Sequence, residues 1–273
     1  MPRLLEAGPL EGTVDARVEV HLQVGRQSWL HALWTLRSFY HAARCSYRLC
    51  LHDDGSLDDE AAGALAYQCP HARLLLRQAA DAEAAVALAN YPALLALRST
   101  GSHTRFLADV TWANAGKSVL LLSPGVLFLD APAALMARAE DTRYPSAVAL
   151  DYRSRYVLDA DDAERELGVR PLPLMHSAVA IVRPSALEAH RTDTFAGHPN
   201  LRSGRPAEIM RTLLALMLSS DGAELLPGEY AVRRDRETAL GAAACYDFPP
   251  GRLYYREGLT ALLAGNFRAS LSF

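Results

Sequence analysis

The sequence is poor in lysine, in cysteine and in net positive charge. Lys117 is the only lysine, and 28 basic residues face 31 acidic ones, which gives a net charge of −3. Without a basic excess the chain has little to neutralise a phosphate backbone, so nucleic acid is excluded as a first choice of partner. Cys45, Cys50, Cys69 and Cys245 form no Cys-x-x-Cys pair and are too few for a disulfide scaffold.

Long apolar runs are also missing. No stretch approaches the roughly 18 apolar residues of a membrane span, and the first twenty residues contain no apolar core of signal-peptide length. Half of the residues are nevertheless apolar and 22% are charged, which is the balance of a folded domain with a real core. We therefore expect a soluble, cytoplasmic protein with no membrane span, folded as one domain over residues 1–273. The sequence does not indicate an oligomeric state.

The apolar patterns predict strands that alternate with helices. Residues 17–24 alternate apolar and polar side chains as a strand does, and Trp29, Leu33, Leu36 and Tyr40 then recur at helical spacing. Further strands are predicted at 47–52, 71–76, 117–122, 146–150, 176–182 and 225–232, and the strand 117–122 is expected to resume at 126–129 after a break at 123–125. Further helices are predicted from Ser56 and at 81–89, 92–99, 105–115, 132–139, 184–190, 206–220 and 258–263.

Alternating strands and helices in the first half imply parallel βαβ units, and in such sheets ligands bind beyond the carboxyl ends of the strands. The strand ends to search are therefore 23–27, 52–56, 123–125 and Asp151. Ser28 and Ser56 are suited to cap the helices that follow the first two of these ends.

The second strand runs into an acidic turn, His52-Asp53-Asp54-Gly55-Ser56. A carboxylate at a strand end can accept hydrogen bonds from a nucleobase N–H or a ribose hydroxyl, and the glycine lets the backbone turn sharply. The alternative is a purely structural acidic turn with a good helix cap. On the first interpretation, the nucleotide contacts are Val24, Gly25, Arg26, Asp53, Asp54, Gly55 and Ser56.

Four later segments follow in a definite order: 105–109, 119–132, 175–180 and 245–258. This order resembles the GT-A glycosyltransferases. In that family, a segment made of a basic residue, an apolar residue and Asp precedes an apolar strand. That strand ends in Asp-x-Asp, and a segment with His-Tyr closes the domain. The resemblance spans about 18–263. It implies an α/β, GT-A-like (Rossmann-like) fold with a mixed, mainly parallel sheet flanked by helices, a nucleotide-binding half (17–150) and an acceptor-side half (151–273).

The resemblance also implies ligands and site residues. The donor would be a nucleotide-sugar, with a UDP-sugar as first choice, and the acceptor is unidentified. The resemblance adds four residues to the nucleotide-binding candidates: Arg105, Asp109, Ser123 and Gly125. The diphosphate and acceptor positions implied are His176, Ser177, Cys245, Tyr246 and Arg252.

The chain departs from the family where the metal is held. The Asp-x-Asp motif of the family binds Mn²⁺ or Mg²⁺, but the aligned positions here are Ser123 and Gly125, and Cys245 replaces the histidine that often completes the ligand set. No metal ligand or certain cofactor is assigned, although a divalent metal stays possible if the alignment slips and Asp130 is the surviving acid. Arginines could stabilise the leaving diphosphate instead, the candidates being Arg26, Arg153, Arg155, Arg252 and Arg256.

Two functions stay open. A transferase that inverts the anomeric centre needs a general base, for which Asp151 and Glu208 are the candidates, whereas a retaining one does not. The simultaneous change of three metal positions equally suits an inactive relative that binds a nucleotide, a sugar or a protein. A nucleotidyltransferase is a weaker hypothesis, because its glycine-rich basic loop is missing.

The sequence contains no motif for several other common catalytic and binding sites. His21, His31 and His41 are ten residues apart, which is not a ligand spacing on one helix, and no His-Glu-x-x-His occurs, so a zinc site is not predicted. No Gly-x-Gly-x-x-Gly, complete P-loop or Gly-x-Ser-x-Gly motif occurs either.

Overall fold

The structure is a computed structural model that describes residues 4–5, 7–10, 14–44, 46–114, 117–151, 155–232, 245–247, 253–264 and 267. Its strands are β1 (Val14–Val24), β2 (Ser46–Asp53), β3 (Ala72–Leu75), β4 (Ser118–Leu122), β5 (Val126–Phe128), β6 (Ala147–Leu150), β7 (Met175–Val182), β8 (Glu224–Leu225), β9 (Tyr230–Val232) and β10 (Cys245–Asp247).

The α-helices are α1 (Trp29–Ala43), α2 (Asp59–Gln68), α3 (Arg77–Ala87), α4 (Pro92–Arg98), α5 (Ser102–Ala113), α6 (Ala133–Glu140), α7 (Ala160–Leu167), α8 (Ala189–Ala196), α9 (Pro206–Ser220) and α10 (Leu259–Ala264). Short 3₁₀ turns cover Pro184–Leu187 and Pro199–Arg202, and a π-turn covers Tyr254–Gly258. None of the helices among the described residues has both the length and the apolar character that crossing a membrane requires.

Seven strands form the central sheet in the order β3-β2-β1-β4-β7-β6-β8. Strands β1 to β4 run parallel to one another, as the alternation of strands and helices predicts. Strand β7 runs antiparallel to both of its neighbours, β4 and β6. The predicted class, an α/β fold with a mixed, mainly parallel sheet flanked by helices, is confirmed.

Two hydrophobic clusters lie on the two faces of this sheet. In β4, Leu120 and Leu122 belong to the cluster that contains residues of α1 and α6, whereas Val119 and Leu121 belong to the cluster that contains residues of α9. Side chains alternate between the two faces of a strand, so a strand covered by helices on both sides has to be apolar throughout. This is why the apolar run at 117–122 lies at the centre of the fold.

A second sheet corrects one prediction. Residues 126–129 were expected to resume the preceding strand, but β5 pairs instead with β10 in a separate sheet of order β5-β10-β9. The turn at Gly125, whose φ is 138°, redirects the chain. Two hydroxyls of α1 hold β5 there: Thr35 Oγ1 accepts from the Gly125 amide and Ser38 Oγ accepts from the Phe128 amide, each at 3.2 Å.

The prediction of Ser56 as a helix cap is also wrong. The N-cap of α2 is Asp58, whose carboxylate accepts from the Ala61 amide at 2.9 Å. The Ser56 hydroxyl instead donates to Asp54 Oδ1 at 2.6 Å and accepts from the Arg26 amide at 3.0 Å. Because α2 begins only at Asp59, Ser56 lies before the helix, and its hydroxyl connects the ends of β1 and β2.

The bounds of several other elements also differ from the predictions. The helix expected at 81–89 begins and ends earlier, as α3. The helix expected at 184–190 is a 3₁₀ turn followed by α8, and the strand expected at 225–232 is split into β8 and β9. Periodicity identifies such elements better than it locates their ends, because end residues are set by tertiary contacts.

Arg183, which follows β7, ties the end of α6 to the sheet. It is 5% exposed, and its guanidinium donates to the carbonyl oxygens of Ala139, Asp141 and Tyr144 at 3.2, 2.9 and 2.9 Å. It also donates to the Ser118 hydroxyl at the start of β4. A planar guanidinium with five donors can satisfy several carbonyls at once, which an ammonium group cannot do.

We expect Arg183→Lys to lower the free energy of unfolding by about 3 kcal/mol, because buried carbonyls would lose charged hydrogen-bond donors. Arg143→Lys is the matched control, because the Arg143 side chain is 89% exposed and pairs with Asp141 on the surface; its effect should stay within about 0.5 kcal/mol. Denaturant unfolding of both variants measures this, and equal losses would contradict the anchoring role.

Candidate functional site

A cavity of about 460 Å³ lies at the carboxyl edge of the central sheet. Its walls come from the ends of β1 and β4, the beginning of β7, and α1, α5 and α9. The polar lining residues are Gln23, Gln27, Ser28, His31, Asp54, Ser102, His103, Ser123 and Ser177. The apolar lining residues are Phe106, Leu107, Leu121, Leu122, Pro124, Met210 and Leu214.

Strand direction brings the second half of the chain to this edge. Because β7 runs antiparallel to β4, its first residues lie beside the last residues of β4, and the Ser123 amide donates to the Ala178 carbonyl at 2.9 Å. This pairing puts Ser177 in the cavity wall with Ser123. Strand β6 is again parallel to β4, so Asp151, the residue after β6, follows the same edge.

The ends of β1 and β2 are in close contact through Gly25 and Asp54. The Asp54 amide donates to the Val24 carbonyl at 2.7 Å. A Cβ atom on Gly25 would lie only 2.0 Å from Asp54 Oδ2, so the aspartate carboxyl group occupies the space that a side chain would need. The Ser28 hydroxyl accepts from the Gly25 amide at 3.0 Å, and it makes no capping hydrogen bond to α1, contrary to the prediction.

The neighbouring carboxylates of the acidic turn have different surroundings. Asp53 accepts from the backbone amides of Gly55, Leu57 and Arg77 at 2.8, 3.2 and 3.1 Å. It therefore builds the turn and the start of α3, where Gly55 has a φ of 94°. Asp54 lies in the cavity wall. The structural alternative for this turn thus fits Asp53, and the ligand-binding hypothesis fits Asp54.

Arg105 and Asp109, one turn apart on α5, also differ. Arg105 is buried under the acidic turn and donates to the Asp54 carbonyl at 3.1 Å. Asp109 is buried in an ion pair with Arg98, with N–O distances of 2.6 and 3.2 Å, and accepts from Trp112 Nε1 at 3.0 Å. Burial raises the pKa of the Asp109 carboxyl, and Arg98 opposes that shift. Neither side chain is part of the cavity lining.

The two candidate general bases are also outside the lining. Asp151 is fully buried at the end of β6. Glu208 is partly buried in the first turn of α9, and the residues of that helix which line the cavity are Met210 and Leu214. Asp54 is the sole carboxylate among the lining residues that the structure describes.

The candidates for the diphosphate and the acceptor are spread out. Ser177 lines the cavity, and His176 beside it accepts from the Ala178 amide through Nδ1 at 3.2 Å. Cys245 is buried in β10 opposite Phe128, and Tyr246 stands opposite Leu127. Two of the arginine candidates, Arg252 and Arg153, lie outside the described residues. Arg155 and Arg256 are exposed.

Two histidines in the lining were not assigned from the sequence. His31 is one helical turn beyond Ser28, and its Nε2 lies 3.1 Å from the Tyr255 hydroxyl. Partial burial lowers the pKa of His31. Loss of water also lowers the pKa of His103; the Asp54 carboxylate opposes that shift and Arg211 adds to it. Both shifts favour the uncharged imidazole. A signal existed for His31, which is in the first turn of the helix that follows β1, whereas His103 is in the first turn of a helix that follows another helix, so the search of strand ends does not reach it.

Comparison with known proteins gives a structural match only. No protein-family model matches the chain, and no curated protein shows significant sequence similarity to it. The structure of galactosyltransferase LgtC in complex with donor and acceptor sugar analogs is similar, with a TM-score of 0.55 and 14% identity over 93% of this chain and 95% of LgtC. Apo mouse xyloside xylosyltransferase 1 gives a TM-score of 0.51 and 11% identity over 88% of this chain and 99% of that chain.

The chain has the GT-A glycosyltransferase fold. Within the GT-A fold, the turn 123–125 is the segment that the sequence resemblance aligns with Asp-x-Asp. The Ser123 side chain lines the cavity, while Gly125 is buried and its amide donates a hydrogen bond to Thr35 Oγ1. The φ of 138° at Gly125 lies in the region that favours glycine, so an L-aspartate would be strained in this backbone.

We expect Gly25→Ala to destabilise the fold by about 1–3 kcal/mol, because the new Cβ would overlap the Asp54 carboxyl group and force it to move. Gly63→Ala is the control: Gly63 is in α2 and has nothing within 4 Å of the added carbon. That change should stabilise the protein by up to about 1 kcal/mol. Opposite signs in denaturant unfolding are the expected result, and a neutral Gly25→Ala would contradict the close contact.

Proposed function

We propose that this chain binds a nucleotide-sugar, with a UDP-sugar as first choice, and transfers the sugar to an acceptor without a metal held by an Asp-x-Asp motif. The observation that carries the proposal is a cavity at the carboxyl ends of parallel strands in a GT-A fold, with the Asp54 carboxylate in its wall. Residues 17–150 would bind the nucleotide, and residues 151–273 would form the acceptor side.

Asp54 is suited to hold the base or the ribose. Its Oδ1 accepts from the Ser56 amide and hydroxyl at 2.8 and 2.6 Å, which fixes the carboxylate. Oδ2 can then accept from a uracil N–H or a ribose hydroxyl, and such a charge-assisted hydrogen bond is stronger than a neutral one. The cavity volume is within the range of about 300–1,000 Å³ that is usual for small-molecule sites.

The turn 123–125 supports transfer without the usual metal. A serine hydroxyl and a glycine are poor ligands for Mg²⁺ or Mn²⁺, which prefer carboxylate oxygens. The negative charge that develops on the leaving diphosphate then has to be stabilised by hydrogen-bond donors and arginines. Ser123 is in the described lining and could donate there, whereas Arg26, after β1, and Arg105, under the acidic turn, are outside that lining.

A second function is favoured by one specific observation. The described lining has no second carboxylate that could take the proton of an acceptor hydroxyl, and no lysine or arginine side chain. A retaining transferase does not require such a base, but neither does a protein that binds the nucleotide-sugar and performs no transfer. The inactive binding module therefore stays as the second candidate.

We expect calorimetric titration with UDP and UDP-sugars to show binding in EDTA as well as in Mn²⁺, with GDP as comparison ligand. Asp54→Asn should weaken UDP binding at least about tenfold, because a hydrogen bond to a charged acceptor is lost. Asp59→Asn, an exposed acid in the first turn of α2, is the control and should bind UDP like the natural chain.

Each outcome of this titration separates the candidates. Binding that requires Mn²⁺ would contradict the metal-free site, and absence of binding in both buffers would contradict the nucleotide-sugar site. Binding without turnover against a panel of sugar acceptors, and without slow donor hydrolysis, would favour the inactive binding module.

Placing aspartates at positions 123 and 125 should not create a metal site. In the double variant Ser123→Asp/Gly125→Asp, we expect UDP binding to stay independent of Mn²⁺. The left-handed conformation should also cost about 1–2 kcal/mol of stability, a cost that Ser123→Asp alone should not show. Unfolding measurements and titrations with and without Mn²⁺ test both points, and a gain of Mn²⁺-dependent binding would show that residue 125 tolerates an aspartate.

A further inference from the structure

Three side chains that commonly ligate metals meet on one face of β1 and β2. In the parallel register, His21 stands opposite Cys50, and His52 follows two residues after Cys50 on the same face of β2. One donor atom from each of the three side chains lies within 4.8 Å of the other two. The ligands are 29 and 31 positions apart in sequence, so the search for spacing motifs could not find them.

The group is sealed from solvent. His21 and Cys50 are fully buried and His52 is 2% exposed. His21 Nδ1 and His52 Nε2 face each other at 2.8 Å, and His21 Nε2 faces the Glu19 carboxylate. An ion bound between the two facing nitrogens would replace their single hydrogen bond with two coordination bonds.

The types of the three ligand atoms indicate which metal ion the group would bind. Two imidazole nitrogens and one sulfur suit Zn²⁺, whereas Mg²⁺, Ca²⁺ and Mn²⁺ prefer oxygen ligands. Buried Glu19 has its Oε2 3.5 Å from His21 Nε2, which is the arrangement in which a carboxylate orients a ligating histidine. Arg73 Nη2 lies 3.4 Å from Cys50 Sγ, where its charge favours a thiolate.

We propose that His21, Cys50 and His52 form a buried Zn²⁺ site, with Glu19 as the residue that positions His21. Both histidines bind as neutral imidazoles, and Cys50 exchanges its thiol proton for a Zn–S bond, so one proton is released per ion. A water molecule completes the tetrahedron. Zn–N bonds of about 2.0–2.1 Å separate two ligand nitrogens by about 3.4 Å. The two imidazoles therefore move apart by about half an ångström when the ion binds.

Two physical consequences follow from the ligand set and its burial. Cys50 binds the ion as a thiolate, so zinc uptake is coupled to loss of the thiol proton. An ion in a closed core enters during folding. Its role is structural: His52 directly precedes the acidic turn, and the Phe106 ring, which lines the cavity, packs edge-on against His52 with centroids 5.0 Å apart.

The test uses the full chain, unfolded in guanidinium with a chelator and refolded with one equivalent of Zn²⁺, Co²⁺ or Mg²⁺. We expect one Zn²⁺ or Co²⁺ per chain after gel filtration and no retained Mg²⁺. The Co²⁺ form should show the visible bands of a tetrahedral ion and a thiolate-to-cobalt charge-transfer band. Less than a tenth of an equivalent of retained Zn²⁺ and Co²⁺ would overturn the proposal.

Two buried cysteines provide a matched pair of variants. Cys50→Ser should lose the charge-transfer band, whereas Cys69→Ser, which changes another buried free cysteine, should keep it. The reverse pattern, or a band that survives both changes, would overturn the site. If Cys50→Ser does not fold, X-ray absorption of the natural Zn²⁺ form decides: one sulfur at about 2.3 Å and two nitrogens at about 2.0–2.1 Å are expected, and a shell without sulfur contradicts the proposal.

Discussion

The candidate site depends on the close approach of two parallel strand ends, where the backbone of Gly25 meets the carboxyl group of Asp54. The hydrogen bond from the Asp54 amide to the Val24 carbonyl, at 2.7 Å, continues the pairing of β1 and β2 beyond the sheet. The missing Cβ of Gly25 leaves the space that the Asp54 carboxyl group fills. Ser56 then fixes one oxygen of that carboxylate, and Arg105 supports the turn from below. Backbone and side-chain contacts between the two strand ends thus hold this part of the cavity wall.

The face of the sheet beneath this edge is polar although it is buried. Strand β1 alternates so that its apolar residues face α1, while Glu19 and His21 face the other layer and are almost inaccessible to solvent. Cys50 and His52 of β2 share that face. A purely apolar face would have contributed more hydrophobic free energy. The polar one has to be satisfied by partners inside the protein, and it lies directly behind the residues that form the cavity.

The turn 123–125, which the sequence resemblance aligns with Asp-x-Asp, is defined by its backbone conformation as well as by its side chains. At Gly125 the chain takes a conformation that favours glycine and turns into a second sheet, which Thr35 and Ser38 hold in place. Ser123 keeps its side chain in the cavity wall. The local structure around this turn is therefore held by backbone and hydroxyl contacts, with no carboxylate at position 123 or 125.

The sequence by itself determined the elements and their class, because the periods of 2 and 3.6 residues and the apolar run 119–122 of β4 are local properties of the chain. It also placed the site at the strand ends, where Asp54, Ser123 and Ser177 lie in the cavity wall. Tertiary structure alone decided which acid faces the cavity: Asp53 and Asp54 are adjacent, but the Asp53 carboxylate accepts from three backbone amides. It also decided that Asp109 pairs with Arg98, that β5 leaves the central sheet, and that His21, Cys50 and His52 meet. Each of these depends on the register and packing of residues distant in sequence, which no local pattern contains.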